Sequence, residues 1–254
     1  MAITTDLWSS RAQQSYVGLT IHFVDKDWHI ENRFLDCFEL PDQHAVVDIG
    51  EAIDKLLTFW NLRSVSESRV IAATSDNGRN IVNALSIDLE IPYTVGCVAH
   101  TLNLAVEKGL KSEHVSPLMA KTRRLVEHFD KSPKAAYKLR QAQIEIMNRK
   151  ETEVLAIVQD VPTRWTSAYY MLDRILEIMP AVDHVLSKSS KSAVRQLALS
   201  AENKHQLSAL STVLKPLCLV EQAMGGDSYC SLPLMDITLH RIKTVHLAAQ
   251  RTDD

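Results

Sequence analysis

Glycine and proline are scarce in this sequence, which has seven glycines and eight prolines among its 254 residues. Folds built only from short strands depend on these two residue types at their many tight turns. The composition therefore disfavours an all-β fold and predicts that helix dominates.

Cysteines are few, and long apolar runs are absent. The four cysteines lack the paired spacing that is typical of a disulfide framework or a zinc knuckle. No run approaches the ~18 uncharged apolar residues that cross a membrane, and the first residues lack the basic-then-apolar pattern of a signal peptide. We therefore expect a globular intracellular protein with reduced thiols and no membrane contact. The cysteines are Cys37, Cys97, Cys218 and Cys230.

The net charge of −3 hides an uneven distribution of charge along the chain. Residues 1–62 contain ten acidic and four basic side chains, whereas residues 121–150 contain nine basic and three acidic ones. Such a basic helical segment is typical of a surface that contacts nucleic-acid phosphates. The alternative is an ordinary solvated helix face. The candidate DNA-contacting residues in this segment are Arg123, Arg124, Lys138 and Arg140.

Alternating residues near the amino terminus predict three strands. Ala2–Leu7 is apolar enough for a first strand that ends near Asp6, and residues 17–23 alternate with period two. A less regular third strand over residues 28–35 completes an antiparallel meander. Helical spacing follows over residues 46–60.

The stretch from Val70 to Lys111 reads as strand, acidic turn, helix, strand and helix. A carboxylate at the carboxyl end of a buried strand faces the crevice where open α/β sheets place their chemistry, and Asp76 has this position. The usual connection rules place the Val70 strand beside the first strand. We therefore expect Asp6 and Asp76 at neighbouring strand ends, with carboxylates about 4–7 Å apart and able to share an ion.

Beyond Lys111 the periodicity is helical, apart from one possible strand at Val154–Val158. The predicted architecture is α/β followed by all-α, with an α/β domain over residues 1–111 and a helical domain over residues 112–254. The helices are predicted over residues 115–129, 133–149, 166–186, 191–199, 203–224 and 233–249.

Five strings carry a more specific pattern: TTDLWSS (4–10), LTIHFVDKDW (19–28), TSDNGRN (74–80), CVAHTLNL (97–104) and VPTRWTSAYYML (161–172). Their order and spacing resemble the hAT (hobo/Activator) transposases and the vertebrate BED-finger proteins descended from them. The resemblance implies an RNase H-like mixed sheet, incomplete in this chain, with a helical insertion domain. It also implies a nuclear location, DNA as a partner, and homo-oligomerisation through segments outside this chain, which is similar to the middle of such a protein.

By this resemblance, Asp6 and Asp76 occupy the first two acid positions of a catalytic site that holds Mg²⁺ or Mn²⁺. Taken singly, either aspartate is also typical of a turn or a helix cap. Carboxylates suit such a site because hard oxygen ligands bind both cations, and two ions ~4 Å apart activate the attacking oxygen and stabilise the leaving one. The third acid of the family, a helical glutamate, has no match, since Glu177 and Glu221 lie outside its motif. We therefore expect no DNA cleavage by this chain.

The spacing of Cys97 and His100, Cys-x-x-His, is half of a tetrahedral zinc site, but no second pair follows at finger spacing. In the family this stretch lies beside the catalytic strands and near DNA. The resemblance therefore implies a polar DNA contact or a helix-start role for His100, and a structural histidine is the alternative.

Arg164 and Trp165 match the Arg-Trp pair of the family's insertion. Tryptophan offers a stacking plane for an unstacked base, and arginine offers a fork of donors for phosphate. The alternative is that Trp165 is a core residue, because helical spacing relates it to Tyr169, Leu172 and Leu176.

Three functions remain open at this stage, the last of them an unrelated α/β enzyme that uses Asp76. The first is a transposase-derived nuclear DNA-binding protein. The second is a domesticated, non-catalytic scaffold or transcriptional regulator that acts through protein contacts. The sequence pI of about 6.4 favours the second function slightly, because proteins that bind nucleic acid without sequence specificity are usually basic.

Overall fold

The computed structural model describes residues 1–40, 45–65, 67–161, 164–226, 229 and 231–246. The chain forms two compact units, Met1–Thr101 with Met224–Pro233 and Leu102–Ala223 with Leu234–Asp254. In the described part of the chain, all five strands of the sheet lie in the first unit. The predicted architecture, α/β followed by all-α, is confirmed.

The elements up to residue 110 alternate between strand and helix after an initial meander. Residues 84–88 continue the second helix as a wider turn that keeps Leu85 and Leu89 buried. The elements are β1 (Ala2–Ser9), β2 (Ser15–Val24), β3 (Ile30–Leu40), α1 (Val46–Phe59), β4 (Ala72–Ser75), α2 (Arg79–Asn83), β5 (Tyr93–Gly96) and α3 (Val98–Leu110).

The sheet has the strand order β3-β2-β1-β4-β5. The first three strands form the predicted antiparallel meander, and β4 and β5 join it in parallel. The parallel ladder between β1 and β4 pairs Ala2 with Ala72 and Thr4 with Thr74. As predicted, the strand that precedes Asp76 therefore lies directly beside the strand that contains Asp6.

One face of this sheet forms the core of the first unit. Side chains alternate across a strand, and Ile3, Leu19 and Ala73 point into one buried cluster with Ile53 of α1 and Ile81 of α2. Burying one large apolar side chain stabilises a fold by about 1.5–3 kcal/mol, so this shared cluster holds β1 and β4 in register. The opposite face of the sheet carries the polar and aromatic residues of β1.

An aromatic pair covers part of that opposite face. The rings of Trp8 and Tyr16 stack with centroids 5.8 Å apart. Trp8 lies on Gly18, where an added Cβ would come within 2.8 Å of its ring. Glycine at this position therefore lets the indole lie flat on β2, one strand away from Asp6.

The later elements are helical, as expected. Residues 151–153 form a single 3₁₀ turn. The helices are α4 (Ser116–Asp130), α5 (Pro133–Met147), α6 (Trp165–Glu177), α7 (Met179–Ser187), α8 (Ser192–Arg195), α9 (Ala201–Met224) and α10 (Leu232–Arg241), the last extended by a wider turn at Ile242–His246.

Three predictions in this region are wrong, one of them the helix over residues 191–199, of which only α8 (Ser192–Arg195) forms. The helix predicted over residues 166–186 is divided at Ile178, because Pro180 in the first turn of α7 has no N–H to continue the α6 ladder. Residues 154–158 form no strand. Instead, the buried amide of Gln143 donates to the Leu155 carbonyl at 2.9 Å and accepts from the Leu155 N–H at 3.0 Å. The Gln143 side chain thus forms the two hydrogen bonds with Leu155 that a neighbouring strand would form.

The described helices include none that is both long enough and apolar enough to cross a bilayer. Cys37, Cys97 and Cys218 are free thiols. Cys230 lies outside the described residues.

Candidate functional site

Asp6 and Asp76 lie just beyond the parallel ladder of β1 and β4, on its carboxyl side. The prediction that the first strand ends near Asp6 is wrong, because β1 continues to Ser9, whereas Asp76 follows the last residue of β4 as predicted. The pairing of Thr4 with Thr74, extended by two residues, sets positions 6 and 76 opposite each other. Thr5 precedes Asp6, Ser75 precedes Asp76, and both of these preceding residues are buried. Because side chains alternate along a strand, the two aspartates are assigned to the open face of the sheet.

One oxygen of each carboxylate is already used locally. Asp6 Oδ1 accepts from the N–H of Leu7, and Asp76 Oδ1 accepts from the N–H of Gly78, both at 3.0 Å. The second oxygen of each is left for a cation, and such hard ligands suit Mg²⁺ or Mn²⁺. Within the described ranges, however, no group of three or more His, Cys, Asp or Glu side chains is arranged to hold a metal ion. The donor set therefore fits a divalent cation only in part.

The loop after β4 is tied to the start of α3 by Asn77. Its Nδ2 donates to Thr101 Oγ1 at 2.6 Å and reaches the Cys97 carbonyl at 3.5 Å. Gly96 makes this approach possible, since a Cβ there would lie 2.0 Å from Asn77 Oδ1. Asn77, Gly96 and Thr101 are not among the residues that the sequence analysis singled out. The Asn77-Gly78 pair beside a candidate acid is nevertheless typical of a constrained turn.

Cys97 and His100 meet at the beginning of α3 through the backbone. The N–H of His100 donates to Cys97 Sγ at 3.5 Å, so the sulfur occupies the place of a helix cap. His100 is half buried. The Cys-x-x-His spacing thus has a local role in starting the helix, and the described residues supply no further ligands for zinc around it.

Two of the four candidate cations in the basic segment are held by carboxylates. Arg123 donates through Nε and Nη2 to Asp160 at 2.8 Å, and the Asp160 side chain is only 2% exposed. Arg140 donates to Glu151 at 2.8 Å on the surface. These two arginines therefore hold the chain around residues 151–160 against α4 and α5.

The other two candidate cations do not hold neighbouring segments in this way. Arg124 and Lys138 are exposed, and neither forms an ion pair with another described residue. Lysine and arginine side chains in this state keep their full charge available for phosphate. The free positive charge of the segment is therefore smaller than its composition indicates.

Arg164 and Trp165 have opposite environments. Trp165, the first residue of α6, is 2% exposed, whereas Arg164 at the N-cap is exposed. The turn before the helix is closed by Ser167, whose hydroxyl accepts from the N–H of Val161 at 2.8 Å. In this position the indole is a core group, and a base stacks on it only if the indole leaves the core.

The two glutamates considered for the third acid position lie in the helical unit. Glu177 accepts from Arg149 Nη2 at 2.8 Å. Glu221 on α9 is half buried beside Trp165. Burial raises the pKa of the Glu221 carboxyl, while the Trp165 N–H and the charge of Arg164 act in the opposite direction.

Two family models match this chain in succession. The ZBED1 RNase-like domain matches residues 4–91, and the ZBED1 RNase-like helical domain matches residues 95–213. Together these matches account for most of the sequence.

Similar proteins come from a fungus, an animal and a plant. "Putative transcriptional regulator tpeD" of Talaromyces stipitatus is 25% identical, over 97% of this chain and 31% of that protein. "Zinc finger BED domain-containing protein 4" of Homo sapiens is 28% identical, over 89% of this chain and 21% of that protein. "Putative AC transposase" of Zea mays is 25% identical, over 91% of this chain and 29% of that protein.

The chain thus spans less than a third of each of these relatives. Its sheet and its helical unit correspond to the two matched domains, in the same order. The chain belongs to the family of the hAT transposases and the BED zinc finger proteins derived from them, and it contains the RNase-like region of that family.

Proposed function

We propose that this chain is the core of a nuclear DNA-binding protein derived from a hAT transposase, and that Asp6 and Asp76 hold one Mg²⁺ or Mn²⁺ ion. The observation that carries the proposal is the parallel pairing of β1 with β4, whose last pair, Thr4 with Thr74, precedes each aspartate by two residues, together with the one carboxylate oxygen that each aspartate has left over. A divalent ion at such a site supplies Lewis-acid activation of a phosphate and of an attacking water.

Binding of Mn²⁺, measured by electron paramagnetic resonance, tests this proposal. Asp6→Asn and Asp76→Asn should each weaken binding, because each removes half of the charge that attracts the ion. Asp36→Asn is the matched control: Asp36 also accepts from the next N–H, at 2.8 Å, but lies on β3. Equal affinity in all three variants and the parent would show that the pair is not a metal site.

The same donor set leads us to propose that the chain alone does not cut DNA. Two carboxylates without a third protein ligand leave an ion poorly held and the reacting groups poorly oriented. A cleavage assay with Mg²⁺ and with Mn²⁺ should show only background. Cutting that is abolished by Asp76→Asn would contradict this and would reveal a third ligand.

We propose that DNA phosphates bind at Arg124, Lys138 and Arg164, because these exposed cations form no ion pair with a described residue. Arg123 and Arg140 support the fold around them instead. His100 contributes a polar contact at the start of α3. Complete family members are expected to add homo-oligomerisation through segments outside this chain.

The second candidate function is a non-catalytic scaffold or transcriptional regulator that acts through protein contacts. It is favoured by the acidic balance of residues 1–62 and by the printed name of the fungal relative. Salt-independent DNA binding, or none, together with absent Mn²⁺ binding, would favour this function over the first.

A further inference from the structure

Helices α6 and α9 meet through a polar strip that the proposed function has not yet used. Tyr170 of α6 accepts a hydrogen bond from Gln222 Nε2 at 2.5 Å, and its hydroxyl lies 3.6 Å from Cys218 Sγ. Cys218, Glu221 and Gln222 are spaced by three and four residues, so they share one face of α9. Glu221 is therefore turned towards α6, where it meets Trp165.

Two complementary atoms are sealed at this contact. Glu221 Oε2 and Trp165 Nε1 are both buried, and neither has a partner of full hydrogen-bond geometry among the described residues. One is an acceptor and the other is a donor. A buried polar atom without a partner destabilises the fold, so a small rotation that pairs the two is favourable. The interaction between them already favours the ionised form of Glu221.

Arg164 precedes this tryptophan and is the charged group whose field reaches Glu221. It forms no ion pair with any residue that the structure describes, so its guanidinium donors remain available. Arg164 is the N-cap residue and is bonded directly to Trp165, the first residue of α6, so a shift of the helix start that follows a movement of the indole also shifts Arg164.

We propose that Glu221 is a positioning residue: it holds the indole of Trp165 in the core by its N–H and so keeps Arg164 at the surface in the orientation that binds a DNA phosphate. The phosphate contact rests on the proposed function. The interaction of Glu221 with Trp165 does not rest on the proposed function, and it is measured separately.

The competing explanation is that Glu221 merely fills space. Replacing a buried charge with an apolar residue of similar size is often neutral or stabilising. On that explanation Glu221→Leu packs Trp165 at least as well as the parent does. Under our proposal Glu221→Leu loses the indole partner, whereas Glu221→Gln retains an acceptor and rescues the position.

Fluorine NMR of the 5-fluorotryptophan-labelled chain separates the two explanations. The Trp165 resonance is assigned by its loss in Trp165→Phe. We expect Glu221→Leu to shift this resonance, and Glu221→Gln to leave it near the parent position at neutral pH. In the parent the resonance should also change with pH, with a midpoint above the ordinary Glu value, because burial raises the pKa of Glu221.

This pH transition should be absent in Glu221→Gln. Tyr170 and its neighbour Tyr169 titrate at a higher pH, because the pKa of each of these phenols is also raised. An unmoved resonance in Glu221→Leu, or a transition that persists in Glu221→Gln, would overturn the proposal.

Fluorescence anisotropy with a duplex that has a single-stranded end tests the DNA contact. Arg164→Ala and Glu221→Leu should each weaken binding roughly tenfold, the loss of one hydrogen bond to a charged group. The double variant should lose no more than either alone, since both remove the same contact. If the parent binds no DNA, the proposed function fails and the NMR result still decides the role of Glu221; if it binds and Glu221→Leu binds equally well, the positioning role is overturned.

Discussion

At the scale of single residues, burial decides which cations of the basic segment serve the fold. Arg123 lies against a carboxylate that is almost fully buried, whereas its neighbour Arg124 points to solvent. Adjacent residues of one type on one helix thus have different duties. A charge count cannot separate them, because the separation depends on a partner 37 residues away in sequence.

Arg123→Ala should therefore lower the free energy of unfolding by about 1–3 kcal/mol, because Asp160 is left buried with Gln159 Nε2 as its one side-chain donor among the residues that the structure describes. Arg124→Ala, the matched control, should change it by no more than about 0.5 kcal/mol. Urea unfolding followed by circular dichroism measures both. Equal effects would mean that the Asp160 contact does not stabilise the protein.

Trp165 gives the second prediction at this scale. Removing a fully buried tryptophan leaves a cavity, so Trp165→Ala should cost about 3–5 kcal/mol of stability. Tyr137 is 63% exposed in the same unit, so Tyr137→Ala serves as the control and should cost little. If Trp165→Ala keeps the parent melting temperature but loses binding to single-stranded ends, the indole acts outside the core.

At the scale of elements, two glycines make a matched pair. A Cβ at Gly96 would lie 2.0 Å from Asn77 Oδ1, whereas a Cβ at Gly109 meets nothing within 4 Å. Gly96→Ala should destabilise the protein and release the loop after Asp76 from α3. Gly109→Ala should stabilise α3 by up to about 1 kcal/mol, because alanine favours helix. Melting temperatures test both, and a tolerated Gly96→Ala would show that Asn77 does not hold the loop.

The predicted elements are confirmed where one periodicity of apolar residues, that of a strand or that of a helix, dominates the segment. The meander and α1 follow from alternation and from three-and-four spacing, which act within a few residues. The failures lie where other groups decide the local structure: the amide of Gln143 forms the hydrogen bonds of Leu155 that a strand partner would form, and Pro180 divides the predicted long helix. The pairing of the strand before Asp76 with the strand of Asp6 was predictable from connection rules, whereas the roles of Asn77 and Glu221 depend on contacts between elements.

At the scale of the whole molecule, the proposed DNA affinity should depend on few phosphates. The logarithm of affinity falls by ~0.9 per phosphate neutralised on duplex DNA, so a few contacts predict a slope of about −3 to −5 against the logarithm of salt concentration. The double variant Arg124→Glu and Lys138→Glu should flatten this slope by about two contacts without loss of stability.

Reversing Arg123 and Arg140 is the control for this experiment. It should lower the melting temperature, because both arginines are bound to carboxylates within the fold. Anisotropy titrations at several salt concentrations, with melting measured on the same samples, distinguish the pairs. An unchanged slope in the first variant would exclude the α4–α5 surface as the phosphate contact.

The alternation of β1 has a consequence for how this site tolerates change. Ile3 and Thr5 face the core and Asp6 faces outward, so the site depends on whether an odd or an even number of residues separates Asp6 from the core positions. Inserting one residue between Ile3 and Asp6 would turn the carboxylate inward, while inserting two would restore its face. Insertions of an even number of residues in this strand should therefore keep Asp6 on the open face, whereas insertions of an odd number should remove it from that face whatever its chemical role.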